Sequence, residues 1–156
     1  MDISIDLVKK LRSKTGIGIV DCKKALKEAG GDFKKACEVL RRKGVELAEK
    51  KAERKTGEGL IEAYVHPGGR VATLVELACE TDFVAKNAGF KKLAHELAMQ
   101  IASMNPSTIE VLLDQEYIRD SQKKVRDLIN EAIAKFGENI KVKRFVRYEV
   151  GVAKSD

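Results

Sequence analysis

The residues best placed to do chemistry are Glu80-Thr81-Asp82-Phe83-Val84-Ala85-Lys86-Asn87, where a carboxylate and an aromatic ring stand side by side in a polar stretch. The segment is too polar to be simple core, and binding residues concentrate on loops carried by rigid scaffolds. The plainer reading is a helical turn capped by Thr81 or Asp82 with Phe83 tucked beneath it. Other candidates for chemistry are weaker. Thr15-Gly16-Ile17-Gly18 lacks the spacing and the following Lys-Ser/Thr of a phosphate-cradling loop. His66 and His95 are far apart in sequence, and neither has an evident companion for nucleophilic or acid–base work. Asp114, Glu116 and Asp120 could gather a cation, but they read as a solvated acidic face. The expectation is a binding protein with no catalytic residues, no metal ligands and no cofactor.

The elements that would hold this stretch are legible on either side of it. From Leu60 to Cys79 the apolar residues alternate as in strands, broken by Pro67-Gly68-Gly69, which predicts a β-hairpin with a short glycine-containing loop. Val71, Thr73, Val75, Leu77 and Cys79 share one face of the second strand. After the stretch, Phe90, Leu93, Ala94, Leu97, Ala98, Ile101 and Ala102 recur at helical spacing, and Asn105-Pro106 ends that helix. Ile109 to Tyr117 reads as a short helical connection. Val125, Leu128, Ile129, Ala132, Ile133 and Phe136 mark another core-facing helix, and Ile140 to Val150 a final strand. Hairpin, helices and strand together predict an α+β core around a mainly antiparallel three-stranded sheet, flanked by helices.

The amino-terminal third has a different character. Residues 1–46 predict three short helices: Ile5, Val8 and Leu11 on the first, a second from Ile19 to Ala29 ended by Gly30-Gly31, and a third opened by Asp32 and carrying Phe33, Ala36, Cys37 and Leu40. Such a knot resembles a ubiquitin-associated domain. Charged residues and alanine then predict a solvated helical linker over residues 47–56, leaving 57–156 as the α+β core.

In a chain of 156 residues, a hydrophobic share of 44% is enough for a folded core. No apolar run approaches the roughly 20 residues that a membrane span needs, and the acidic start has no targeting core, so a cytoplasmic protein with no membrane partner is expected. Cys22, Cys37 and Cys79 are too few and too scattered for a disulfide framework or a metal site, and read as reduced. The net charge of +6 is uneven. Residues 1–56 hold 16 Lys and Arg against 9 Asp and Glu, whereas the remainder holds 14 against 15. The basic third suits an acidic protein partner or a phosphate backbone. The second possibility, a basic nucleic-acid-binding module, lacks stacking platforms, since Phe33 is the sole aromatic in that third and lies on the core stripe. No direct nucleic-acid contact is expected.

Three ordered strings reach across nearly the whole chain. They are Leu11-Arg12-Ser13-Lys14-Thr15-Gly16-Ile17-Gly18-Ile19-Val20-Asp21-Cys22-Lys23-Lys24-Ala25-Leu26, then Glu76-Leu77-Ala78-Cys79-Glu80-Thr81-Asp82-Phe83-Val84-Ala85-Lys86-Asn87, and Phe136-Gly137-Glu138-Asn139-Ile140 with Lys143-Arg144-Phe145-Val146-Arg147-Tyr148-Glu149. Together they resemble the signature of the translation elongation factor Ts family, in a short, single-core form. The resemblance implies a guanine nucleotide exchange factor for elongation factor Tu. It implies that Thr81, Asp82, Phe83 and Val84 enter the partner's nucleotide domain near a Mg²⁺ that belongs to the partner. It further implies that Ile19, Val20 and Lys23 help the helical module grip that domain. Family members usually carry a longer helical insertion before the last segment, where this chain has only the bridge from Asn105 to Ser121. Longer members contain two core repeats, so a single core is expected to pair as a homodimer.

Overall fold

The structure, a computed structural model, describes residues 2–153. Helix α1 (Ile5–Thr15) ends where Gly16 takes a left-handed conformation and donates its N–H to the Arg12 carbonyl at 2.7 Å. Helix α2 (Ile19–Glu28) follows after Gly18. Asp32 then caps helix α3 (Phe33–Lys51), its carboxylate accepting from the Lys35 N–H at 3.0 Å. Leu11, Cys22, Ala25, Leu26 and Ala36 are wholly buried where the three helices meet.

The boundary expected after residue 46 is not a break in the chain. Helix α3 runs unbroken to Lys51, and the backbone is non-helical over 52–57, so only the start of the expected linker is helical. No helix breaker separates Leu40 from Lys51 except Gly44, and Gly44 is buried for a packing reason. A Cβ there would lie 3.3 Å from the Asn130 carbonyl oxygen. The compact unit built by these helices comprises residues up to Glu53 together with Asn130–Glu138. Ala134 packs on its apolar cluster, and Lys51 Nζ donates to the Gly137 carbonyl at 2.5 Å.

The second unit comprises Arg54–Ile129 and the chain from Asn139 onward. Its sheet has the order β1 (Glu58–Val65), β2 (Val71–Cys79), β5 (Lys141–Glu149), with both pairings antiparallel. Period-two alternation sorts the side chains. Thr73, Val75 and Leu77 are buried toward helix α5 (Ala88–Met104), and the Thr73 hydroxyl donates to the Ala98 carbonyl at 2.9 Å. From the neighbouring strand Arg147 donates twice to the Ala102 carbonyl near the end of α5, each at 3.1 Å. The opposite face carries the rows Ala63–Leu74–Val146 and Val65–Ala72–Tyr148, bordered by Ile61 and the Glu76–Arg144 ion pair at 2.7 Å. Gly59 is obligatory at the start of β1: its φ is +150°, and a Cβ would lie 2.2 Å from the Leu77 carbonyl oxygen.

The expected α+β core, with a three-stranded antiparallel sheet that follows an amino-terminal helical module in the sequence, is therefore the architecture found. One connection differs. The segment expected as a short helix to Tyr117 is helix α6 (Ile109–Asp114) followed by strand β3 (Glu116–Tyr117), which pairs with β4 (Asp120–Lys124) before helix α7 (Val125–Phe136). Buried Gln100 imposes this hairpin. Its amide donates to the Glu116 carbonyl at 3.0 Å, and its oxygen accepts from the Ile118 N–H at 3.0 Å.

Candidate functional site

The turn after β2 is a helix of four residues, α4 (Asp82–Ala85), set between two polar caps. Thr81 is extended, and its hydroxyl oxygen accepts from the Val84 N–H at 3.3 Å. Asn87 then caps α5, its side-chain oxygen accepting from the Gly89 N–H at 2.8 Å. Thr and Asn serve here for the usual reason, supplying an acceptor to amides that have no partner inside the helix. Two caps in close succession turn the chain sharply from strand to helix.

This turn divides its own residues. Val84 is only 6% exposed, whereas Phe83 is 82% exposed. One face of a single helical turn goes down and the other goes out. Thr81 and Asp82 are exposed beside Phe83, and Asp82 forms an exposed ion pair with Lys86 at 3.5 Å. A pair so open to water contributes at most about 1 kcal/mol, so Asp82 can exchange Lys86 for another cation at little cost. The reading of Phe83 as tucked beneath the turn is thereby excluded. Val84 needs the opposite correction: grouped with the contact residues in sequence, it is buried, and its side chain anchors the turn from below.

The turn is fastened from beneath by residues that sequence reasoning gave no role. Glu80 Oε2 accepts the main-chain N–H of Asn139 at 2.7 Å, and Glu80 Oε1 lies 3.6 Å from Arg54 Nη1. Asn139, 2% exposed, donates its side-chain N–H to the Arg54 carbonyl at 2.8 Å. The Cys79 thiol donates to the Thr81 carbonyl at 3.1 Å. The sole signal for Asn139 was its place in the Phe136-to-Ile140 string.

Ile19, Val20 and Lys23 belong to the other compact unit. All three are exposed, Ile19 at 50% and Val20 at 66%. Lys23 falls three and four residues beyond them on α2, hence on the same helix surface. The buried side of α2 is held by Cys22, fully buried, whose thiol donates to the Ile17 carbonyl at 3.4 Å. Burial pushes the Cys22 thiol pKa up.

The remaining candidates are accounted for by local contacts. Asp114 pairs with Arg126 at 3.1 Å, and Asp120 accepts the Gln122 N–H at 3.1 Å. His66 Nδ1 lies 2.9 Å from the Tyr64 hydroxyl, and His95 meets the Tyr64 ring edge-on at 5.8 Å. Among the described residues no group of His, Cys, Asp and Glu could hold a metal ion, and no helix is long and apolar enough to cross a membrane.

A family model described as Elongation factor TS matches residues 80–155. A protein named Elongation factor Ts from Thermotoga petrophila is 47% identical over 199 aligned residues, covering 100% of this chain and 100% of the relative. The namesake from Thermotoga maritima matches to the same extent. That from Herpetosiphon aurantiacus is 43% identical over 196 residues, covering 97% of this chain and 99% of its own. These alignments are longer than the chain itself, so the relatives carry residues that have no counterpart here.

Proposed function

This chain belongs to the elongation factor Ts family, and from that premise we propose that it is a guanine nucleotide exchange factor for elongation factor Tu in translation elongation. It makes and breaks no covalent bond. Its action is linkage: it binds the nucleotide-free partner more tightly than the GDP-bound one, so it weakens GDP binding by the factor by which GDP weakens its own. Accelerating release a thousandfold requires a barrier lower by roughly 4 kcal/mol.

The observation that carries this reading is Phe83, an aromatic ring 82% exposed on a turn whose neighbour Val84 is buried. A ring held out into solvent gains free energy only when something covers it. In the complex Phe83 wedges between elements of the partner that position Mg²⁺ and phosphates, and Asp82 perturbs the polar contacts around that ion. Thr81 caps the turn and lines the same surface. Ile19, Val20 and Lys23 form a second contact on the amino-terminal module, whose basic excess speeds encounter with an acidic partner. Such a partner places the protein in the cytoplasm.

The protein acts as a two-fold homodimer paired through its sheet. Ile61, Val65, Leu74 and Tyr148, all on the face opposite α5, are 60%, 62%, 46% and 65% exposed. An apolar sheet face of this kind calls for a covering layer, and an isologous pairing of two copies supplies one.

The direct test is release of a fluorescent GDP analogue from elongation factor Tu, with and without this protein, across a Mg²⁺ titration. Release should accelerate strongly and saturate with protein concentration, and added Mg²⁺ should oppose the acceleration. Release at the unassisted rate throughout would refute the proposal.

A further inference from the structure

We propose that Glu80, locked by Asn139 and Arg54, is a positioning residue that holds the Thr81-to-Ala85 turn stiff so that Phe83 meets its partner in one orientation. The inference rests on the exchange reading above and adds to it the groups that aim the ring.

Three stretches distant in sequence converge beneath the turn. The Glu80 carboxylate takes the Asn139 main-chain N–H at 2.7 Å with one oxygen and faces the Arg54 guanidinium at 3.6 Å with the other. The Asn139 side chain closes the ring of contacts by donating to the Arg54 carbonyl at 2.8 Å. A hydrogen bond to an ionised carboxylate is about twice as strong as one between neutral groups. Glu80 directly precedes Thr81, whose hydroxyl and carbonyl oxygens accept the first two amide bonds of α4, from Val84 at 3.3 Å and Ala85 at 3.2 Å.

A helix of four residues has no stability of its own, because the cost of nucleation exceeds what so few bonds return. Its orientation must be imposed by its flanks. On the downstream side α5 and its Asn87 cap do this; on the upstream side the fixed points are Glu80 and the Cys79 thiol on the Thr81 carbonyl at 3.1 Å. A loose turn would have to be ordered in the complex, and that cost would be subtracted from the force Phe83 exerts on its partner. The lock removes the cost in advance.

The test uses the full chain with Glu80→Ala, Glu80→Gln, Phe83→Ala and the double variant Glu80→Ala/Phe83→Ala. Two quantities are read: maximal GDP release from elongation factor Tu, and hydrogen exchange of the Val84 amide in the free protein. Glu80→Ala should slow release about tenfold, the worth of one charge-assisted bond. It should also speed Val84 exchange while the α5 amides stay protected. Glu80→Gln keeps an acceptor for the Asn139 N–H and should recover most of the rate. In the Phe83→Ala background, adding Glu80→Ala should cost much less than in wild type, because the ring is gone and only Asp82 remains to be aimed. Unchanged Val84 protection in Glu80→Ala, or an equal loss of rate in both backgrounds, would overturn the positioning role. A loosened Val84 amide combined with wild-type release by Phe83→Ala would instead overturn the wedge, and the aiming role with it. Arg54→Ala, which removes the guanidinium facing Glu80 Oε1 at an exposed position, carries the same two readouts with a smaller expected change if Glu80→Ala does not fold.

Discussion

Truncating Phe83 to alanine should separate exchange activity from stability. In the free protein the ring is 82% exposed, so its loss removes little packing. Surface changes of this kind stay within about 0.5 kcal/mol, which for a chain of this size moves Tm by about 1–2 °C. In the complex the same ring has most of its roughly 200 Å² still to bury. At about 25 cal/mol per Å² the ceiling is about 4 kcal/mol, and an anchoring aromatic is typically worth about 2 kcal/mol or more. Those bounds convert to a loss of between about 30-fold and a thousandfold in release rate. Phe90 is the internal control, since it is the same residue type, wholly buried at the start of α5. Phe90→Ala should cost about 3–5 kcal/mol of stability yet leave exchange per folded molecule near wild type. The assay pairs thermal melts with stopped-flow release of a fluorescent GDP analogue on both variants. If Phe83→Ala melts as early as Phe90→Ala, or exchanges at the wild-type rate, the reasoning is refuted.

Other outcomes follow from the same geometry. Leu74→Lys places a charge at the centre of the open sheet face, and light scattering at micromolar concentration should then report a single chain where wild type reports two; a monomeric wild type would remove the dimer from the proposal. The Tyr117 hydroxyl pKa is pushed up to about 12, first by burial and then by its 2.8 Å hydrogen bond to the Glu96 carboxylate. A folded value above the ordinary one of about 10 means that its contribution to stability is complete below about pH 10 and is lost as pH climbs toward 12. Tyr117→Phe should flatten that alkaline decline in the denaturation midpoint, and an unaltered decline would exclude Tyr117 as its source. Cys22 is buried with a raised pKa, whereas Cys37 is only half-buried. Iodoacetamide at neutral pH should therefore modify Cys37 first and Cys22 only once denaturant is added; equal rates by mass spectrometry would contradict the packing of α2.

What could be read in the sequence was whatever depends on local period. The alternation from Val71 to Cys79 and the stripe from Phe90 to Ala102 announced β2 and α5, because each buries one face against a continuous neighbour. The β3–β4 hairpin was invisible because Asp120-Ser121-Gln122-Lys123-Lys124 has no alternation; Gln100, on another element, holds it in place. The fate of Val84 turned on less than one helical turn, a finer interval than any pattern over a longer window resolves. Glu80, Asn139 and Arg54 lie so far apart along the chain that only tertiary structure joins them. Period likewise showed that 125–136 buries a face without showing that its last part lies with the amino-terminal helices.

That last arrangement bears on how the protein is made. A ribosome releases α1, α2 and α3 well before Asn130–Glu138 has been synthesised, and the sheet unit waits as long for β5. While the nascent chain ends short of Asn130, the position of Ala134 on the amino-terminal cluster is empty, and Gly44 faces no backbone. Neither unit can be completed until the closing stretch of the chain emerges. Folding during translation therefore cannot finish one unit before the other has begun: Asn130–Glu138 completes the first and β5, directly after it, the second, and a message truncated before Asn130 yields two unfinished cores.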